Sequence, residues 1–306
     1  MNEIEILTAS LAALVLFLFA IQSLGHELEL KFKDKLKIIL QKATRYPVIG
    51  VLTGTAATGI LQSSSAVSVI CVSLVSSGIL TLSQAIIILM GSNIGTTLTA
   101  QLVAFKLGDT APFLLVFGYA MNFLPGKVGV WGKPIFYFGL LFFGLHMLGD
   151  ALGQFQYHPM VETYLTSAIS PYWGLFIGMI ITILLQSSSV TSGLIVVFVS
   201  QGVLKLEIAI PMLIGANIGT TTTAILASFT LGAAARRTAL ANLLINVSGM
   251  LIVLPFLGAF TAFIDSFSVD TSQKVVNAHI LFNLITVAII FPFRNILAAT
   301  LEKKIK

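Results

Sequence analysis

Two kinds of polar motif interrupt otherwise apolar stretches of this chain, and each occurs twice. The first is a glutamine followed by three serines, at 62–65 and again at 186–189. Amide and hydroxyl groups, together with the free N–H groups at the start of a helix, can hold a small tetrahedral oxyanion without lysine or arginine. The residues expected to bind such an anion are Gln62, Ser63, Ser64, Ser65, Gln186, Ser187, Ser188 and Ser189.

The second motif reads Gly-x-Asn-Ile-Gly-Thr-Thr, at 91–97 and at 215–221. Its glycines would let a helix break, and the freed carbonyls would join amide and hydroxyl oxygens as neutral ligands. Such oxygens suit Na⁺, and the acidic residues that usually carry protons in membranes all fall in predicted loops or at helix ends. The expected sodium ligands are Asn93, Thr96, Thr97, Asn217, Thr220, Thr221, Ser65 and Ser189.

Both motifs also have a purely structural interpretation. Glycines can mark close helix packing, and hydroxyl and amide groups can form hydrogen bonds between membrane helices. For one motif alone that interpretation would be favoured, but two motif types duplicated in one register favour a binding site. Asn122 and Asn246, which match each other in the repeat described below, either support this site or hold helices together.

The elements that position these motifs are expected to be membrane helices. The 306 residues are 57% hydrophobic and only 9% charged, with a mean hydropathy of +0.99. A soluble domain carries about 25% charged residues, so an ordinary soluble enzyme, a disordered protein and a nucleic-acid binder are excluded. The apolar run from Ile6 to Leu24 is expected to be an uncleaved first membrane helix, because no Lys or Arg precedes it as in a signal peptide.

An internal repeat organises the chain, because both motifs recur 124 positions later with no gap between them. Flanking residues match at the same offset: Pro47, Gly50, Gly54 and Thr58 recur as Pro171, Gly174, Gly178 and Thr182. The sequence predicts repeat 1 over 8–124 and repeat 2 over 132–248. Residues 249–306 would finish a helix over 238–263 and add a C-terminal transmembrane helix and a basic cytoplasmic tail.

The Lys and Arg residues indicate that the two repeats have inverted topology. The linker after the first helix holds six of them between 31 and 45, whereas its counterpart at 153–170 holds none. Basic loops face the cytoplasm, so equivalent linkers lie on opposite sides of the membrane. With the N-terminus outside and the C-terminus cytoplasmic, 14 of the 17 basic residues fall inside. The crossing helices are then predicted over 8–28, 82–105, 111–125, 134–152, 208–230, 238–263 and 276–294.

Segments 46–79 and 171–202 are predicted to be re-entrant helical hairpins with the Gln-Ser-Ser-Ser motif at the tip. Each arm has roughly 15 residues and would be about 22 Å long, shorter than the hydrocarbon core of about 30 Å. The alternative is one long helix through each segment, with serines bonded to its own backbone. The expected fold is thus an all-α polytopic membrane protein with two inverted repeats, each carrying one hairpin.

The doubled Gln-Ser-Ser-Ser, each followed by Gly-x-Asn-Ile-Gly-Thr-Thr, resembles the type II sodium-dependent phosphate cotransporters. The stretches Ala216–Leu226 and Asn246–Gly249 are similar to the second repeat of that family. The resemblance implies sodium-coupled import of inorganic phosphate, with phosphate at the two tips and arsenate as a competitor. Electrogenic animal members have an Asp at the position of Tyr119, so the sodium site tied to that Asp is not carried over.

The expected function is therefore that of a secondary active transporter in the cell (inner) membrane, working by alternating access. Expected partners are inorganic phosphate, Na⁺ as coupling ion, the lipid bilayer and a second copy in a homodimer, with no cofactor and no nucleic acid. Rival hypotheses are a carrier for another small oxyanion (sulfate, arsenate) and a passive channel. A serine hydrolase is disfavoured, because His146 and His279 have no obvious serine partner and Gly-x-Ser-x-Gly is absent.

Overall fold

The fold is all-helical: the computed structural model describes residues 3–43, 46–105, 107–155, 170–267 and 270–305, and these contain no strand. Within these described residues, six stretches are long and apolar enough to cross a bilayer, which supports a multi-pass membrane protein. They are Ile4–Lys42, Leu82–Ala104, Gly129–Gly153, Leu206–Ser228, Ala233–Phe267 and Thr271–Lys304. In chain order the helices are α1 Glu3–Ala43, α2 Pro47–Leu61, α3 Ser64–Ser76, α4 Leu82–Ala104, α5 Ala111–Met121, α6 Gly132–Phe155, α7 Pro171–Leu185, α8 Ser188–Ser200, α9 Leu206–Ser228, α10 Ala233–Val253, α11 Leu257–Phe267, α12 Thr271–Ile290 and α13 Arg294–Lys304.

The first helix is longer than the predicted span 8–28, because α1 continues without a break to Ala43. The basic segment expected to be a linker is therefore mostly helical. Pairs one turn apart stabilise it: Lys31 Nζ lies 3.1 Å from Glu27, and Lys33 Nζ lies 3.0 Å from Glu29. The prediction that all acidic residues fall in loops or at helix ends is therefore wrong for Glu27 and Glu29, which lie inside α1. Most of the counterpart linker at 153–170 lies outside the described residues.

Each predicted hairpin segment contains two helices separated by a two-residue turn. In the first, α2 ends at Leu61 and α3 begins at Ser64; in the second, α7 ends at Leu185 and α8 begins at Ser188. The alternative of one long helix is therefore wrong. Both turns begin with a glutamine in the left-handed region, since φ is 53° at Gln62 and 53° at Gln186.

The helix break expected at the Gly-x-Asn-Ile-Gly-Thr-Thr motif is absent, because α4 and α9 are continuous through both copies. The glycines instead allow helices to approach closely. A Cβ at Gly91 would overlap the Val51 carbonyl oxygen of α2, and a Cβ at Gly215 would overlap the Leu175 carbonyl oxygen of α7. The close-packing interpretation is thus correct for these glycines, and no carbonyl is freed there for a cation.

The crossing predicted over 111–125 is much shorter in the structure, since α5 has 11 residues. Its α-helical part is about 16 Å long, roughly half of the hydrocarbon thickness. It packs against α6, which in turn packs antiparallel to α1. Two contacts set that direction: Gly144 lies against Phe17, and Lys133 Nζ lies 3.3 Å from Glu27.

The outer surface of the described helices is apolar, as expected for contact with lipid. Leu52 of α2, Phe113 of α5 and Leu184 of α7 are 62%, 77% and 75% exposed. A continuous surface of such apolar side chains would be unfavourable in contact with water. The polar residues collect instead in the interior, where α4, α8, α9, α10 and α12 pack together.

We expect Gly215→Ala to lower the thermal melting midpoint of the detergent-solubilised protein. The added methyl group would meet a backbone oxygen of α7 that cannot rotate away, at a cost of about 1–3 kcal/mol. Gly258→Ala is the matched control, because nothing lies within 4 Å of a Cβ there. Equal midpoints for the two variants would contradict the close packing of α7 on α9.

Candidate functional site

The two glutamine turns meet each other in the interior. The Ser65 hydroxyl, at the start of α3, donates to the Gln186 backbone carbonyl over 3.1 Å. Each turn is also capped locally, since Ser63 Oγ accepts from the Ala66 N–H and Ser187 Oγ accepts from the Val190 N–H. The N-terminal ends of α3 and α8 therefore come together, and with them the free N–H groups of two helix starts.

The side chains of the two turn glutamines have different surroundings. The Thr99 hydroxyl of α4 donates to Gln62 Oε1 over 2.9 Å, and Gln62 Nε2 donates to the Gly59 carbonyl. The Gln186 side chain is exposed. Thr99 also lies 3.4 Å from Ser189 Oγ, so one buried hydroxyl of α4 contacts both turns.

A cavity of about 250 Å³ lies at this meeting point. Four of the predicted anion ligands line it: Gln62, Ser63, Gln186 and Ser187. Its other wall is a face of α1, which we call the α1 face, formed by Ile21, Gln22, Gly25 and His26, with Glu29 beyond it. The remaining predicted ligands lie behind the cavity, since Ser64, Ser188 and Ser189 are 5%, 2% and 2% exposed and Ser65 forms the contact between the turns.

The predicted sodium ligands Asn93 and Asn217 lie in two buried amide clusters. Asn93 Nδ2 donates to Asn246 Oδ1 over 3.1 Å, which places the predicted supporting residue Asn246 in direct contact with the second motif. Asn246 Nδ2 donates in turn to the Asn242 carbonyl over 2.9 Å. Asn242 Nδ2 reaches Ser68 Oγ of α3 at 3.3 Å, so this cluster joins α3, α4 and α10.

The second cluster repeats this pattern with a histidine. Asn217 Nδ2 donates to Asn283 Oδ1 over 3.1 Å, and Asn283 Nδ2 donates to the His279 carbonyl over 2.9 Å. His279 Nε2 lies 3.1 Å from Asn217 Oδ1, which can only accept, so the ring proton belongs on Nε2. Among the described residues, His279 Nδ1 and Ser192 Oγ are buried without a hydrogen-bond partner.

The threonine hydroxyls of the second motif donate to their own helices. Thr96 and Thr97 donate to the Ser92 and Ile94 carbonyls, over 3.2 and 2.7 Å. Thr220 and Thr221 do the same toward Ala216 and Ile218, over 2.9 and 2.7 Å. A hydroxyl that donates in this way keeps its oxygen lone pairs, so these atoms remain able to accept or to coordinate a cation.

Asn122 is not brought to this site. It lies at the end of α5, where its side chain is exposed and Nδ2 donates to the Gly118 carbonyl over 3.1 Å. Its match to Asn246 in the repeat therefore does not give it the same surroundings. His146 is also exposed, 3.5 Å from Asp150, and has no serine partner in the described contacts.

Among the buried polar residues that were not predicted as site residues, four make the side-chain contacts described above: Thr99, Asn242, His279 and Asn283. Their spacing held a signal, because Asn242 precedes Asn246 by four residues and His279 precedes Asn283 by four. Polar side chains at that interval share one face of a helix. No cluster of three or more His, Cys, Asp or Glu residues suited to a metal ion occurs in the described part of the chain.

We expect His279→Leu to destabilise the protein by about 1–3 kcal/mol, because Asn217 Oδ1 would be left buried and unpaired. His279→Asn should cost less, since Asn242 takes the equivalent place in the first cluster. Thermal melting of the two variants in detergent checks this difference. A midpoint for His279→Leu as high as that for His279→Asn would show that the hydrogen bond to Asn217 is not stabilising.

The chain matches a family model described as Na⁺/Pi-cotransporter twice, over residues 16–150 and over residues 146–291. The uncharacterized protein YqeW of Bacillus subtilis (strain 168) is 34% identical over 296 residues, which cover 94% of this chain and 94% of YqeW. No solved structure matches the chain.

Two further relatives have names that refer to phosphate. YjbB of Escherichia coli (strain K12), whose name suggests inorganic phosphate export, is 26% identical over 86% of this chain and 49% of its own length. The chain thus spans about half of YjbB. The sodium-dependent phosphate transport protein 2A of Rattus norvegicus is 48% identical over 75 residues, which are 24% of this chain and 12% of that protein.

Proposed function

Because this chain belongs to the Na⁺/Pi-cotransporter family, we propose that it is a sodium-coupled secondary transporter that imports inorganic phosphate by alternating access. The observation that carries the proposal is the meeting of the two Gln-Ser-Ser-Ser turns beside an exposed cavity. A transporter needs a polar site in an apolar body, and this cavity is lined by both turns.

The proposal includes two inverted repeats, 8–124 and 132–248. Helices α1 and α6 match each other at the repeat offset, and their antiparallel packing supports an inverted relation between the halves. The short paired helices also fit re-entrant hairpins over 46–79 and 171–202. Arms of 15 and 13 residues are too short to cross the hydrocarbon alone, and their serine-rich tips meet inside the protein.

Phosphate is proposed to bind between the two tips. The hydroxyls of Ser63 and Ser187, the exposed Gln186 amide and the N–H groups at the starts of α3 and α8 would donate to its oxygens. Of the residues lining this cavity, none is Lys or Arg, and the nearby Glu29 is paired with Lys33. The charge of the anion is therefore offset by helix ends and by co-bound cations.

Sodium is proposed to bind among the neutral oxygens behind the tips. Thr99 Oγ1 already lies within hydrogen-bond distance of both Gln62 Oε1 and Ser189 Oγ, next to the anion site. The amides of Asn93 and Asn217 and the threonine hydroxyls of the second motif would complete the cation ligands. Hard oxygen donors of this kind bind alkali and alkaline-earth cations rather than transition metals.

In this proposal the protein spans the cell (inner) membrane. Its N-terminus lies outside the cell and its C-terminus lies in the cytoplasm. The cavity lies beside His26 and Glu29, next to the Lys-rich part of α1 that the positive-inside rule assigns to the cytoplasm. The structure would then be the inward-open state. A homodimer is part of the proposal.

Phosphate export is a second candidate function, favoured by the name of YjbB, which aligns with 86% of this chain. The direction of a coupled transporter follows the gradients and the sites exposed on each face, so the same fold can serve either direction. Vesicles with known protein orientation, loaded with labelled phosphate or supplied with it outside, distinguish import from export. A flux that follows only an inward Na⁺ gradient supports import.

We expect Gln186→Ala to reduce sodium-driven phosphate uptake in proteoliposomes at least about tenfold, because it loses a donor to a charged ligand, worth about 1.5–3 kcal/mol. Ser65→Ala should have a smaller effect, up to about tenfold, because it loses the neutral hydrogen bond between the tips, worth about 0.5–1.5 kcal/mol. Ser266→Ala is the matched control, because its exposed hydroxyl only donates to the Phe263 carbonyl of its own helix. Wild-type uptake in Gln186→Ala would contradict the anion site.

Uptake of labelled phosphate by proteoliposomes should require an inward Na⁺ gradient and should not respond to a proton gradient alone. Arsenate is expected to compete, because it matches phosphate in shape, charge and protonation at neutral pH, whereas sulfate carries no proton there and is not expected to compete. Equal uptake without any gradient would favour a passive channel. Competition by sulfate at low concentration would favour a carrier for another oxyanion.

A further inference from the structure

The two halves of the fold share their local geometry closely, so a place where they differ is informative. Gln62 and Gln186 have the same φ of 53°. The glycine contacts also correspond, since Gly91 lies against Val51 and Gly215 against Leu175, each pair 124 positions apart from the other. The short helix pairs and their supporting long helices are therefore equivalent units.

The contacts of these units with α1 and α6 are different. A Cβ at Gly25 of α1 would lie 3.6 Å from the Leu61 carbonyl oxygen, at the tip of the first pair. The equivalent residue of α6 is Gly149, and its equivalent contact would be Leu185 at the tip of the second pair. Gly149 instead lies beside Gln201, with 3.0 Å from its Cβ position to Gln201 Nε2, at the far end of α8.

The cavities differ in the same way. The tip cavity is walled by the α1 face, Ile21, Gln22, Gly25 and His26. The equivalent residues of α6, which we call the α6 face, are Leu145, His146, Gly149 and Asp150, and they line a second cavity of about 360 Å³. That cavity is closed by Val196, Val197, Ser200 and Gln201 of the α8 end, and the residues lining it include neither glutamine turn.

We propose that the α6 face is a second docking site for the two tips, occupied when the anion site opens to the opposite side of the membrane. This inference rests on the proposed transport function. In the present state the tips lie on the α1 face, and in the second state they would lie on the α6 face. Leu145, His146, Gly149 and Asp150 then become a wall of the phosphate cavity, although they are remote from the tips here.

The contacts give the length of the required movement. In the antiparallel α1–α6 pair, Gly144 lies against Phe17, so Gly149 is about 13 residues of α1 away from the level of Gly25. That separation is about 20 Å. It is also the length of α8, which has 13 residues and now reaches from the tips to Gly149. The tips would therefore slide by about 20 Å along α1 and α6 to reach the α6 face.

The α6 face would bring titratable side chains to the anion. His146 Nε2 lies 3.5 Å from Asp150 Oδ2, and both side chains are exposed, at 49% and 70%. Their counterparts on the α1 face are Gln22 and His26. In the second state an imidazole would thus stand beside the tips as a donor to phosphate oxygens, with a carboxylate available to Na⁺.

Cysteine pairs test this inference in a Cys71→Ala background, which removes the one native cysteine. Gly149→Cys with Gln201→Cys should cross-link through Hg²⁺ in the present state. Gly149→Cys with Leu185→Cys should cross-link only in the second state. Loss of free thiols, read as a maleimide–polyethylene glycol gel shift, measures both cross-links. The single variant Gly149→Cys controls for folding, because the added side chain would meet only the flexible end of the Gln201 side chain.

The expected result is that both pairs cross-link in membranes and that the Gly149–Leu185 link abolishes phosphate uptake. If Gly149→Cys links to Gln201→Cys but never to Leu185→Cys, with or without Na⁺ and phosphate, the second docking site is wrong. Phosphate flux in the Cys71→Ala parent is read separately. Absence of flux together with a Gly149–Leu185 link would reject the proposed substrate and keep the docking site.

Discussion

A bilayer gives a polypeptide no water to bind, so a helix can end inside it only where other protein groups meet its free N–H and C=O groups. In this fold two pairs of short helices are interrupted inside the helical bundle, at 62–64 and 186–188, and the fold depends on how the free groups there are paired. Ser63 and Ser187 cap the following helices, and Ser65 binds the Gln186 carbonyl. Neither turn is complete without the rest of the molecule, so the short helix pairs must be held against α4 and α9. The glycines at 91 and 215 make that approach possible.

The interior beyond the turns is polar but largely paired, which is how so many amides are kept away from lipid. Asn93 with Asn246 and Asn217 with Asn283 join the two motif helices to α10 and α12. Since each amide uses its donor and its acceptor in a fixed direction, the clusters also fix the rotation of these helices. The second cluster has a histidine where the first has Asn242, so the two clusters share a hydrogen-bond pattern and differ in chemistry.

Much of this arrangement could be predicted from the sequence, because the duplicated motifs and the apolar composition act locally. The all-helical membrane fold and the turns after Leu61 and Leu185 follow from them. The long α1 was missed because a run of Lys residues was taken as a loop, although Glu27 and Lys31 have helical spacing. The continuity of α4 was not predicted, because a glycine in a helix is equally compatible with a kink and with a close contact between helices. The spacing of His279 and Asn283 held a signal, but the contact of His279 with Asn217 could not be foreseen, since the two lie 62 positions apart and no local pattern links them.

The left-handed turns have a consequence for how this protein can change over generations. A side chain other than glycine pays about 1 kcal/mol or more in that backbone region, and the chain does so twice, with glutamine each time. Glycine at either position would relieve the strain and remove an amide from the cavity. Given the proposed role of these amides in binding phosphate, selection for heat resistance and selection for transport act on these two positions in opposite directions. Enrichment of glycine at these two positions would mark a lineage that keeps the fold and has lost phosphate transport.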